Sequence, residues 1–152
     1  MTRSRFDVIL PTKLNVNVFD QEFEKASREI ESDLKKDFED AVKFWKKAPT
    51  FRGYVRLSGN KIYISVGTAD KIFAFIDQGT VAHFIKPVNA KVLHWVDAAT
   101  GEDRFSKGHW VKGIEARNIT DNIEKEWAAG RMAEYYEGAL DIAIGKSGHE
   151  IK

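Results

Sequence analysis

Nothing constrains this chain more than the run from Asp20 to Lys47. Phe19, Phe23, Ala26, Ile30, Leu34, Phe38, Ala41, Val42 and Trp45 recur at spacings of three and four, with charged residues between them. That is the period of a helix with one apolar face. Asp20 is placed to open it, and Pro49 to close it, because proline disfavours helix in the residue before it. An apolar stripe of that length needs an opposing layer. The remainder of the 152 residues must supply it within one domain, residues 1–152.

The period changes after Pro49. In TFRGYVRL, Phe51, Gly53, Val55 and Leu57 fall on one side; Ser58-Gly59-Asn60 is a turn; KIYISVG returns with Ile62, Ile64 and Val66 on one face. Two alternating runs about a short turn predict a β-hairpin. Residues 70–76 are apolar after Lys71 and fit either a strand or one to two helical turns. KVLHWVD (91–97) reads as a strand with Leu93 in the core, residues 98–103 as a turn around Gly101, and RFSKGHWV (104–111) as its partner strand. A second helix is expected over 118–144, with Thr120 as N-cap and Gly145 as stop. Residues 1–17 read as a loose polar arm and 145–152 as a frayed tail. The sum is an α+β fold: a small antiparallel sheet of about four strands over residues 50–111, packed against a long N-terminal helix (20–47) and a C-terminal helix.

Composition narrows the functional classes. A net charge of +1 gives no general field toward nucleic acid. The chain has no cysteine, so neither a disulfide framework nor thiolate chemistry is available. The opening MTRSRFDVIL lacks the apolar length of a signal peptide, and no window is long enough to span a bilayer.

Candidate catalytic motifs dissolve on inspection. Gly145-Lys146-Ser147 resembles the end of a phosphate loop, but the required earlier glycine is Leu140, and the segment ends a helix instead of opening one. His83, His94, His109 and His149 lack ligand-like spacing; a metal site from the first three with Asp97 requires the fold to gather them. No Gly-x-Ser-x-Gly elbow is present. The helix carboxylates read as solvated faces. No cofactor, metal or catalytic residue is assigned. One asymmetry stands out: between Thr50 and Trp95 the cations Arg52, Arg56, Lys61, Lys71, Lys86 and Lys91 face only Asp70 and Asp77. With Phe51, Tyr54 and Tyr63 they compose a basic β-face that either contacts nucleic acid or solubilises the surface.

The segment FAFIDQGTVAHFIKPVNAKVLHWV (73–96) carries an ordered set of features: Phe75, Asp77, Gly79-Thr80, His83, Ile85-Lys86-Pro87, Ala90-Lys91, Leu93 and Trp95. Phe105 follows, then HWVKGIEARNI (109–119) with Gly113, Ala116 and Arg117. In this order and spacing the set resembles the neck, or head–tail connector, family of long-tailed bacteriophages, also described as tail-completion proteins. The likeness extends over roughly residues 20–144 and is sharp in 73–119. One departure is Val111-Lys112-Gly113, where the family often has His-Pro-Gly; this puts the entry to the last helix in question.

The resemblance implies a non-enzymatic virion protein, assembled in the host cytoplasm into a homo-oligomeric ring, sixfold or twelvefold. The ring joins the portal and head-closure side of the DNA-filled head to the tail-terminator and tail-tube side, and surrounds the DNA exit channel. Weak contact with that DNA would fall to Arg52, Arg56, Lys61, Lys86 and Lys91. Residues 77–90 then read as a docking loop displaying Asp77, Gly79, Thr80, Val81, His83 and Pro87, with a passive crossover loop as the alternative. Gly79 permits a positive-φ turn, Thr80 bonds the local backbone, and Pro87 fixes an extended exit. Two other classes fit the residues: a small nucleic-acid-binding α+β module and a small metal-dependent hydrolase.

Overall fold

The computed structural model describes residues 15–148. The chain is an α+β protein with a long N-terminal helix, a C-terminal helix and small antiparallel sheets. Its described residues group into two compact units, one of residues 15–68 with 121–148 and the other of residues 69–120. The six strands form three separate two-stranded ribbons and not one four-stranded sheet.

In the first unit, helix α1 (Val16–Val42) runs against the ribbon of β1 (Arg52–Ser58) and β2 (Lys61–Gly67) and against α4 (Met132–Lys146). Of the expected stripe, Ala26, Ile30, Phe38 and Val42 are buried, whereas Ala41 is exposed. The helix starts four residues before Asp20, after Asn15, and ends at Val42, well short of Pro49. Phe51 is buried against Phe38, with ring centroids 5.2 Å apart, so it belongs to the core and not to a basic outer face. Residues 1–14 of the expected arm and 149–152 of the tail, including His149, lie outside the described residues.

The ribbon's two faces follow the pleat. Gly53, Val55, Ile62 and Ile64 turn inward, while Arg52, Tyr54, Arg56, Lys61 and Tyr63 turn outward. Glu31 of α1 packs over Gly53 so closely that a Cβ there would lie 1.7 Å from its Oε1.

The second helix is interrupted. Helix α3 (Ile119–Glu126) and α4 are separated by a kink within Trp127–Arg131, where Gly130 leaves helical geometry at φ 150°. The apolar periodicity runs through this break, which is why the sequence reads as one helix. The C-terminal end passes Gly145 and stops at Ser147. On α1, Asp37 receives the indole N–H of Trp127 at 2.8 Å and the Arg131 guanidinium, which stacks 4.2 Å from the Trp127 ring. Ser27, fully buried, donates to the Phe23 carbonyl at 2.7 Å and shares a hydrogen bond with the Tyr136 hydroxyl.

Candidate functional site

Residues 69–120 hold the segment singled out in the sequence. The ambiguous run 70–76 is helical: α2 spans Lys71–Gln78, and the Asp70 carboxylate caps it by accepting from the amides of Ile72 (2.7 Å) and Phe73 (3.1 Å). The expected partnership of 91–97 with 104–111 is half right. β4 (Leu93–Val96) pairs with β5 (Asp103–Ser106), but β6 (His109–Val111) pairs with β3 (His83–Ile85). The presumed loop therefore contains a strand. Three-residue strands carry too little alternation to be read. Leu93, expected in the core, is half-buried.

The candidate docking residues separate into two groups. Asp77, Gly79 and Thr80 face inward to a clamp. Asp77 is buried in the last turn of α2, and its carboxylate accepts from the amide (3.0 Å) and the hydroxyl (2.7 Å) of Thr120. The Asp77 carbonyl accepts from Asn118 N–H, and the Ile76 carbonyl from Arg117 N–H. Thr120, expected to cap its own helix, instead donates to a cap supplied from 43 residues away.

Thr80 continues the clamp. Its amide donates to the Ile114 carbonyl at 2.8 Å, and its hydroxyl accepts the Ile114 amide at 3.0 Å. Its bonding is therefore long-range and not local. Two glycines make this approach attainable. Gly79 ends α2 at φ 76°, the left-handed region, with backbone atoms of Ile114 and Ala116 within 3 Å of where a Cβ would sit. A Cβ on Gly113 would lie 2.0 Å from the Thr80 carbonyl oxygen. The requirement for glycine at position 113 is therefore steric.

Val81, His83 and Pro87 form the second group. Val81 is 82% exposed. His83 is exposed at the start of β3, its Nδ1 3.0 Å from the Val81 carbonyl, and Pro87 follows β3 half-buried. Other apolar side chains stand out on this unit: Val88 is 88% exposed, Trp110 71% and Phe105 65%. Phe84 and Trp110 are direct cross-strand partners in an edge-to-face pair at 5.9 Å. By contrast, Phe73 is the one apolar side chain of 69–120 that is buried.

The histidines are not gathered. His94 Nε2 meets Asp103 Oδ1 at 2.7 Å and stacks on Phe105, while His109 packs against Trp95 at 4.9 Å. Among the described residues no three His, Asp or Glu side chains group to hold a metal, and no helix is long and apolar enough to cross a membrane. The basic residues divide: Arg52, Arg56 and Lys61 share the β1–β2 ribbon, whereas Lys86 and Lys91 belong to the other unit. No family model, no curated protein and no solved structure matches the chain.

Proposed function

We propose that this chain is a structural protein of the phage neck, a subunit of a ring joining the DNA-filled head to the tail. The observation that carries this reading is the imbalance within residues 69–120. Polar clamps hold their backbone together, while Val81, Phe84, Val88, Phe105 and Trp110 face outward and Phe73 is the one buried apolar side chain. A segment this short buries little surface by itself, and outward-facing aromatic and aliphatic side chains are what a partner covers. The motif similarity to neck proteins is sharp in the same stretch, residues 73–119. A ring would use them heterologously, one patch of a subunit docking on a different patch of the next or on the head-closure and tail-terminator neighbours.

Assembly is the test. Purified alone, the chain should behave as a monomer or weak oligomer in light scattering, and it should close into a ring on its neck partner. In a phage from which its gene is deleted, filled heads and free tails should accumulate unjoined, and expression of the chain should restore joined particles. Joined, infectious particles in the deletion strain, or assembled particles with no density for the chain at the head–tail joint, would overturn the assignment.

A further inference from the structure

The outward face of the β1–β2 ribbon is a separate surface, outside residues 73–119 where the neck similarity is sharp. Its cross-strand pairs are Arg52 with Gly67, Tyr54 with Ser65, Arg56 with Tyr63 and Ser58 with Lys61. Neither strand contains a carboxylate. Among the described residues, Arg52, Arg56 and Lys61 have no ion-pair partner. Tyr54 and Tyr63 are 61% and 50% exposed, large aromatic rings left in water on a face that the pleat turns away from α1.

The register makes the two tyrosines diagonal neighbours, since Tyr63 is opposite Arg56 and Tyr54 lies two residues before Arg56. Diagonal neighbours on an antiparallel pair lie about 7–8 Å apart. A flat ring held between two others at about 3.5 Å from each needs about 7 Å. A concavity of about 220 Å³ is lined by Tyr54, Arg56, Ser58 and Tyr63. This is less than the roughly 300–1,000 Å³ of a pocket that encloses a drug-sized ligand, so it suits one planar group of a longer ligand. Cations flank it along the ribbon: Arg52 toward one end, Lys61 toward the other.

We propose that this face binds single-stranded nucleic acid, with a base stacked on Tyr54 and Tyr63 and the phosphates held by Arg52, Arg56 and Lys61. Aromatic rings interleaved with unpaired cations are how single strands are held without sequence preference. A duplex hides its base faces and leaves the tyrosines nothing to stack on. The surface is complete within the β1–β2 ribbon, and its binding is measured on the chain alone, so its failure and that of the neck assignment are distinguishable.

The test is fluorescence anisotropy on the full purified chain with mixed-sequence single strands of about 16 nucleotides, DNA in one arm and RNA in another, against the DNA duplex. Saturable binding of either single strand, tighter than of the duplex, is expected. The slope of log K on log salt should be about −2, from three phosphate contacts at about 0.7 each. Tyr54→Ala and Tyr63→Ala should each weaken binding about 5- to 150-fold without altering the slope, and Tyr54→Phe should keep the wild-type affinity. Arg56→Gln should reduce the slope by about 0.7. Both tyrosines are exposed, so these variants should keep the wild-type circular dichroism and melting curve. Three results would overturn the proposal: no saturable binding at about 50 mM salt, a duplex bound as tightly as the single strands, or folded tyrosine-to-alanine variants that bind like the wild type.

Discussion

The carboxylate of Asp77 holds Thr120 by two hydrogen bonds, one from its amide at 3.0 Å and one from its hydroxyl at 2.7 Å. It therefore does at long range what an N-cap residue does locally: it satisfies a free amide in the first turn of α3 and puts negative charge at the helix N-terminus. Asp77 is a fixture of the fold and not a docking residue on display.

Replacing it should cost stability. A hydrogen bond to a charged group contributes about 1.5–3 kcal/mol, and the partner groups here would lose their acceptor in a partly buried place. Asp77→Ala is therefore expected to lower the unfolding free energy by about 2–3 kcal/mol in urea denaturation. Thr120→Val removes the hydroxyl and spares the amide, so it should cost less than Asp77→Ala. An Asp77→Ala variant as stable as the wild type would show that the clamp contributes nothing.

Gly113 gives a second test of the same clamp, by sterics in place of charge. A methyl group there would lie 2.0 Å from the Thr80 carbonyl oxygen and 2.8 Å from the Val81 carbonyl carbon. Both are backbone atoms, so neither can swing aside. Gly113→Ala should cost about 1–3 kcal/mol, the usual range for forced backbone shifts. Gly138→Ala, on α4 where a Cβ meets nothing within 4 Å, is the control. It is expected to be neutral or stabilising by up to about 1 kcal/mol. Equal effects at the two positions would refute the steric account.

The elements legible in the sequence are those whose periodicity is long. Ile30, Phe38 and Val42 mark the core side of α1 because the helix repeats often enough to define a face, and the β1–β2 hairpin shows through its alternation and its turn. What stayed hidden depends on partners far along the chain. Asp77 is next to a Gly-Thr pair in sequence, and nothing there points to Thr120. Thr80 suggests a local turn, yet it bonds Ile114. The strand His83–Ile85 exists through pairing with residues 109–111 and has no pattern of its own. Gly130 breaks the second helix although the apolar spacing continues across it.

Tyr135 predicts a pH dependence. Its pKa is raised above the usual tyrosine value of 10.0, first by its hydrogen bond to Asp33, then by partial burial and by the Asp33 charge. The folded state thus holds this proton more tightly than the unfolded chain. The stability it supplies is fully present below the unfolded pKa and is lost as pH rises through the folded one. Tyr135→Phe should therefore be less stable than wild type by about 1 kcal/mol near neutral pH. The difference should narrow above about pH 10. Urea midpoints of the two proteins across that range check it, and a gap that stays constant into strong alkali would refute the linkage.

The exposed half of the candidate loop should matter for assembly and not for folding. Val81 and His83 lie beyond the clamp: the Val81 side chain projects into solvent, and the described bond of His83 is to the Val81 carbonyl. Exposed substitutions usually change stability by no more than about 0.5 kcal/mol. Val81→Asp and His83→Ala should therefore melt like the wild type. Ile30→Ala, which empties a fully buried site on α1, should cost about 2–5 kcal/mol and sets the scale. Gly79→Val is a poor probe, since it combines a positive φ with a backbone clash and would unfold the clamp before testing docking. If Val81 and His83 meet a neighbour in the neck, a charge introduced at the first and a ring removed from the second should leave heads and tails unjoined in a complementation assay while the protein remains folded. Wild-type yields of joined, infectious particles from both folded variants would remove this surface from the docking interface.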